Sequence, residues 1–201
     1  MSLSVIAYPP TTGSKPTRLL VALHGFGASA ENFSGLAPEL KLPDYQLLFP
    51  NAPFPHPQVP DGWMWYDLST QQGLTESKQL LLEWIPTLSR QTGVPLERTV
   101  LVGFSQGGAM TLEVGLSLPF AGLVVLSGYL HPDMPIPTTA PPPVLMTHGR
   151  QDPVVPLQAA HATEDALTQA GVEVNYHEFD MGHDVSPEAL VIVRQFMQGL
   201  S

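Results

Sequence analysis

Apolar residues along this chain come in short, almost unbroken runs that stop at loops, with longer stretches of helical period between them. Arg18–Leu23, Tyr45–Phe49, Thr99–Val102, Ala121–Leu126 and Val144–Thr147 are runs of this kind. Their length and lack of polar alternation predict strands covered on both faces. Leu3–Tyr8 reads as a short first strand closed by Pro9 and Pro10, and Val172–Phe179 alternates as a strand nearer a sheet edge would. Among the helical stretches, Ser29 is placed to cap one running to about Leu40, and Gly108–Leu118 forms another. Thr75–Arg90 carries a wide apolar stripe that Pro86 should bend or interrupt. Leu157–Ala170 is predicted helical with Gly171 as its stop, and Ser186-Pro187-Glu188 opens a last helix. Two proline-rich connectors, Pro50–Pro60 and His131–Pro143, show neither period, and no internal repeat is visible.

Strand and helix therefore alternate, which predicts an α/β fold: a mostly parallel sheet with helices on both faces, in one domain over residues 1–201. In such a sheet the chemistry gathers at the carboxyl ends of the strands. One strand end stands out. Thr99–Val102 runs into Gly103-Phe104-Ser105-Gln106-Gly107 and then a helix, which is the G-x-S-x-G pattern at a strand-to-helix turn. A serine at the apex of so tight a turn leaves no room for side chains two residues away on either side, and glycine removes them. The helix that follows points its free N–H groups and positive dipole end at the serine. Glycines also punctuate ordinary loops, so the motif acquires meaning only with partners.

A serine hydroxyl needs a base, and the base an orienting acid. Of the seven histidines, His161 falls inside a helix and His177 inside a strand, both read as surface or packing residues. His56 and His131 lie in the proline-rich connectors and could line a pocket. His24 and His148 each precede glycine at a strand end, a setting for structural hydrogen bonds in the turn. His183 follows Gly182 in the loop after the last strand and is the preferred base. Asp152, after the strand ending at Thr147, is the preferred acid; its plainer role would be an Asx turn capping the next helix. Asp180 is the rival, with Asp67 and Asp184 behind it. The order Ser105, Asp152, His183 is the one that accompanies a G-x-S-x-G nucleophile. An oxyanion hole would take one donor from the N–H of Gln106 and a second from the loop after Leu23, at Phe26, where Gly25 and Gly27 allow close approach.

Composition narrows the field further. A net charge of −10, a pI near 4.9 and no Lys/Arg cluster argue against nucleic acid and against docking on an anionic membrane. The absence of cysteine excludes a thiolate nucleophile, a disulfide framework and a zinc–sulfur site. No histidine pair has ligand spacing, so no metal and no organic cofactor are expected. No basic n-region or bilayer-length apolar run is present, which makes a soluble cytoplasmic protein the default expectation. The expected partner is a small-molecule ester or acylated substrate, with a homodimer allowed.

Seven motifs in order, His24-Gly-Phe-Gly27, Phe49-Pro-Asn-Ala-Pro53, Trp65-Tyr-Asp67, Gly103-Phe-Ser-Gln-Gly-Gly108, Leu126-Ser-Gly-Tyr-Leu130, His148-Gly-Arg-Gln-Asp-Pro-Val-Val-Pro156 and Gly182-His183, carry a resemblance over nearly the whole chain. It resembles the phospholipase/carboxylesterase family of α/β-hydrolases, which includes acyl-protein thioesterases and small microbial carboxylesterases. The resemblance implies an α/β-hydrolase fold without a large cap domain, Ser105, Asp152 and His183 as a triad, and Phe26 and Gln106 as oxyanion donors. The loop between Pro53 and Trp65 is shorter and richer in proline than in the eukaryotic thioesterases, and Phe26 stands where leucine is common there. Both departures touch the acyl side, so long-chain acyl-protein specificity is not carried over. The expectation is a serine carboxylesterase acting on small to medium acyl chains, its pocket lined by Phe26, Trp65, Tyr129, Leu130 and Val154. Acyl-protein thioesterase or lysophospholipase activity by the same machinery is the nearest alternative. A non-catalytic ligand-binding protein on this fold is the alternative from another class.

Overall fold

Each apolar run becomes a strand in the computed structural model, which describes residues 3–132, 134–137 and 139–200. In chain order the elements are β1 (Val5–Tyr8), β2 (Arg18–Leu23), α1 (Ala30–Ser34), α2 (Ala37–Leu40) and β3 (Tyr45–Pro50). A two-stranded ribbon follows, β4 (Phe54–Pro55) with β5 (Trp63–Met64), then α3 (Leu74–Thr92), β6 (Thr99–Phe104) and α4 (Gln106–Gly115). The last elements are β7 (Gly122–Leu126), β8 (Val144–Gly149), α5 (Leu157–Gln169), β9 (Val174–Phe179) and α6 (Pro187–Gly199).

The main sheet has seven strands in the order β1-β3-β2-β6-β7-β8-β9. All neighbours are parallel except β1, which runs antiparallel to β3 at one edge. Side chains of successive strand residues point to opposite faces, and the core divides accordingly. Leu19, Val21 and Leu23 of β2 pack with Leu101, Leu123 and Met146 under α3, α4 and α5. Leu20 and Ala22 pack with Val100, Val124 and Leu145 under α1 and α6 on the other face. Both faces are thus apolar, which explains runs without alternation. β9 forms the other edge and is only partly buried, in keeping with its mixed pattern.

Two helices differ from expectation. The stretch from Ser29 to Leu40 is broken at Gly35 and Leu36; Ser29 caps α1 by accepting the Asn32 N–H, and Pro38 sits in the first turn of α2, where its missing N–H costs nothing. By contrast α3 runs unbroken through Pro86. Pro86 is on the exposed side, where water can reach the Leu82 carbonyl that the proline leaves without a donor. The connector His131–Pro143 holds no helix or strand among its described residues, positions 133 and 138 lying outside them. Among the described residues no helix is long and apolar enough to cross a membrane.

From β2 the chain steps outward to β3, whereas from β6 it proceeds the other way to β7, β8 and β9. The order therefore reverses between β2 and β6, where loops diverge and leave a crevice at the carboxyl ends. Leu23 is in register with Gly103 across that switch, so the loop after β2 faces the turn after β6.

Replacing Pro86 by alanine restores a helix hydrogen bond at a solvent-facing position. We expect P86A to raise the unfolding free energy by roughly 1–3 kcal/mol, the lost proline rigidity of the unfolded chain offsetting part of the gain. The check is a urea titration, with a higher midpoint and an unchanged slope.

Candidate active site

Ser105 follows β6 and precedes the first residue of α4 with φ 54° and ψ −117°, a conformation that non-glycine residues rarely adopt. Its neighbours explain how this is tolerated. A Cβ at Gly103 would run into the Gly107 carbonyl, and one at Gly107 into the carbonyls of Leu23 and His24. The N-terminus of α4 is therefore in backbone contact with the end of β2, which a side chain at Gly107 would force apart, as one at Gly103 would force α4 from β6. α4 is buried along its whole length.

The turn brings Ser105 to its partners. His183, in the loop after β9, places Nε2 2.9 Å from Ser105 Oγ. Its Nδ1 lies 2.7 Å from Oδ2 of Asp152, in the loop after β8. An ionised carboxylate only accepts, so Nδ1 carries the proton and Nε2 is left to accept from the serine hydroxyl. Asp152 also makes the Asx turn: Oδ1 accepts the N–H groups of Val154 (2.8 Å) and Val155 (2.9 Å). One oxygen holds the loop while the other holds the imidazole. Burial of Asp152 opposes its ionisation, but the bonds from His183, Val155 and Val154 outweigh it and keep the carboxyl below its ordinary range. The Phe104 ring packs against His183 at 4.8 Å between centroids. Asp180, the rival acid, points to solvent and pairs with Arg150 at 2.7 Å.

The backbone N–H groups of Phe26 and Gln106, two residues that line one cavity, have no protein acceptor among the described residues. Each belongs to a peptide whose carbonyl is fixed. Ser105 C=O accepts from Ala109 N–H within α4, so the Gln106 N–H, opposite across the planar peptide, points out of the helix. Gly25 C=O accepts from His24 Nδ1 (2.8 Å) and from Ala28 N–H (3.2 Å), which turns the Phe26 N–H the other way. The remaining nitrogen of His24 accepts from Ala52 N–H at 3.0 Å. Near the end of β8, His148 Nε2 donates to the carbonyl of Val155 in the following loop at 2.9 Å. Both histidines before glycine thus hold the loops that follow their strands.

A cavity of about 520 Å³ opens over Ser105, Gln106 and His183. Phe26, Tyr129 and Val154 lie on its wall, and Leu68, Val155, Pro156 and Ala159 complete it. Trp65 and Leu130 are not on that wall. Trp65 has no exposed surface and is core, its indole N–H donating to the His24 carbonyl at 2.9 Å. Leu130 packs against the core under α3–α5 while its N–H donates to Thr163 Oγ1. A larger groove, about 670 Å³ between Tyr8 and Leu47, contains none of these reactive side chains.

Sequence reasoning missed two buried polar arrangements. The Gln106 side chain, read only through its backbone, is itself buried: Oε1 accepts from Trp65 N–H (2.9 Å) and Nε2 donates to Tyr66 C=O (2.7 Å). Behind the Tyr129 wall runs a chain of contacts, Tyr129 Oη to Tyr66 Oη (2.7 Å), Tyr66 Oη to His131 Nε2 (2.8 Å), and His131 Nδ1 to Glu113 (3.0 Å). Lys78 closes it, donating to Glu113 at 2.8 Å. The bond from His131, then that from Lys78, holds the Glu113 carboxyl below its usual range against the cost of burial. A lone glutamate in so apolar a helix was the available signal, since an unpaired buried charge is not tolerated.

His24 yields a testable pH dependence. Burial lowers its pKa to about 4 from an ordinary 6.5, with the Gly25 carbonyl bond opposing. Between those values the unfolded chain binds a proton that the folded chain does not. Its contribution is therefore complete above pH 6.5 and is lost as pH falls towards 4, by about 3 kcal/mol in all. Urea unfolding at pH 7 and pH 4.5 should show this drop in the wild type and a smaller one in His24→Gln.

The sequence model of the phospholipase/carboxylesterase family matches residues 10–201. Acyl-protein thioesterase 1 of Gibberella zeae is 30% identical, the alignment covering 92% of this chain and 91% of that protein. The same-named protein of Mycosarcoma maydis is 29% identical, over 98% and 96% of the two chains. Among solved structures, esterase PE8 superposes with a TM-score of 0.89 at 28% identity, covering all of both chains. With a match of this extent, the chain belongs to the phospholipase/carboxylesterase family and is an ester or thioester hydrolase with the α/β-hydrolase fold.

Proposed function

We propose that this chain is a serine carboxylesterase that hydrolyses carboxylic esters of small to medium acyl chain through an acyl-enzyme. The observation that carries the reading is the Ser105–His183–Asp152 chain, with contacts of 2.9 and 2.7 Å, at the mouth of an apolar cavity. Ser105 Oγ attacks the ester carbonyl while His183 Nε2 takes its proton. Asp152 holds the imidazole by Nδ1 and stabilises the cation that forms. The carbonyl oxygen becomes an oxyanion, for which the free N–H groups of Phe26 and Gln106 are the donors. Collapse of the tetrahedral adduct breaks the bond to the alcohol, which leaves with the proton from His183. Water then attacks the acyl-serine by the same route, giving up its proton to His183, which returns it to Ser105.

The limit on acyl length rests on the cavity, which is open and walled by bulky groups: Phe26, whose ring meets the His56 ring edge-on at 4.5 Å, and Tyr129, tied to Tyr66. The relatives named acyl-protein thioesterase 1 favour a second reading, thioester hydrolysis by the same residues. An alkylthiol leaves more readily than an alcohol, so the triad serves either substrate and pocket depth distinguishes them.

The test is kcat/KM over a chain-length series of p-nitrophenyl esters beside a long-chain acyl thioester, in the wild type, Asp152→Asn and Asp180→Asn. We expect ester turnover to peak at small to medium chains, D152N to lower kcat by about 10⁴-fold, and D180N to remain near wild type. A preference for the long-chain thioester would favour the second reading. Loss of turnover in D180N with activity retained in D152N would overturn the acid assignment.

A further inference from the structure

The two N–H groups assigned to the oxyanion come from separate elements, Phe26 in the loop after β2 and Gln106 at the start of α4. Besides the direct contact of Gly107 with the end of β2, the segment Trp63–Tyr66 links those elements. At one end Trp63 pairs with the β2 loop, its N–H donating to Ala28 C=O (2.8 Å) and its C=O accepting from Gly27 N–H (2.9 Å). Two residues on, the Trp65 indole donates to the His24 carbonyl at 2.9 Å. On the other side the Gln106 amide lies along the Trp65–Tyr66 backbone as a neighbouring strand would, accepting from one peptide and donating to the next. Ser77 Oγ, from α3, donates to the Trp65 carbonyl. Every polar group of Trp65 is thereby used, in a residue with no exposed surface.

A buried amide carries a desolvation cost that an apolar side chain of the same length avoids. The backbone N–H of residue 106 is present whatever side chain follows it. The side chain therefore needs an explanation of its own, and its two bonds supply it.

We propose that the Gln106 side-chain amide and the Trp65 indole are positioning groups that lock the Trp63–Tyr66 segment across the oxyanion site, keeping the N–H groups of Phe26 and Gln106 aimed at one oxygen. The inference rests on the reading of those two N–H groups as oxyanion donors. Without the amide, α4 and β2 keep their backbone contact at Gly107, and the β2 loop keeps its His24 anchor, but the brace across the two N–H groups is lost. Displacement of a reacting group by about 1 Å costs on the order of 100-fold in rate. Because an oxyanion exists only after attack, the loss falls on the transition state and leaves ground-state binding in place.

The experiment compares Gln106→Met, which removes both amide bonds, Gln106→Glu, which keeps the acceptor for Trp65 N–H, and Trp65→Phe, which removes the indole donor together with part of a fully buried ring system. Each is assayed on p-nitrophenyl butyrate. Each is also titrated with a butyl trifluoromethyl ketone, which captures the serine as an oxyanionic hemiketal, and with the matching methyl ketone. For Q106M we expect kcat to fall about 10- to 100-fold with KM within about 3-fold of wild type, and affinity for the trifluoromethyl ketone to fall with kcat/KM. W65F should show the same pattern at smaller amplitude, and Q106E, which turns an acceptor towards the Tyr66 carbonyl, the same pattern at an amplitude no smaller than that of Q106M. If Q106M does not fold, the other two variants decide the matter by the same criteria. Folded variants with unchanged kcat and ketone affinity, or with the whole loss in KM, overturn the proposal. A wild type that binds the trifluoromethyl ketone no more tightly than the methyl ketone would instead overturn the oxyanion reading beneath it.

Discussion

The organisation of this site depends on one close approach, that of the N-terminus of α4 to the end of β2. Gly107 meets the carbonyls of Leu23 and His24, and Gly103 meets Gly107, with no room for a side chain at either position. That contact forces the positive φ of Ser105 and places the serine above the sheet at the point where strand order reverses. It also sets the start of α4 beside the β2 loop, so that Phe26 and Gln106, distant in sequence, line one cavity. Strain at one residue is sustained by packing everywhere else: α4 is buried throughout, and both sheet faces are filled.

The other half of the site is built on the same logic at the opposite side of the sheet. β8 and β9 are parallel and in register to Gly149 and Phe179, and the loops beyond them stay laced together. Arg150 N–H donates to Phe179 C=O and Gln151 N–H to Met181 C=O, while a Cβ at Gly149 would strike the carbonyls of Met181 and Gly182. The loop bearing Asp152 and the loop bearing His183 are thus held in backbone contact before any side chain is considered. The 2.7 Å contact between the two side chains follows from that frame.

Much of this was legible in the chain itself because the signals are local. Strand runs, the Ser29 cap, the Gly171 stop and the Ser186-Pro187 helix start each depend on neighbouring residues. Ser105 and its glycines are readable because a tight turn imposes its own spacing. Features set by contacts distant in sequence were not. Nothing near Trp65 says that it faces the core rather than the cavity, since an aromatic residue beside a site motif suits both. Gln106 looked like a backbone donor only, because its amide partners lie some forty residues earlier. His131 could be placed in a loop but not against Glu113, whose helix is chosen by packing. Pro86 failed as a breaker because its consequence depends on which helix face meets water.

The central claim is that Ser105 is the nucleophile, activated by the side chains it touches. The most direct measurement is reaction with a fluorophosphonate, followed by intact mass and peptide mapping. The account predicts one adduct per chain, on Ser105, and none on the folded Ser105→Ala variant. A folded wild type that takes no label, or a Ser105→Ala variant labelled to the same extent, would contradict it.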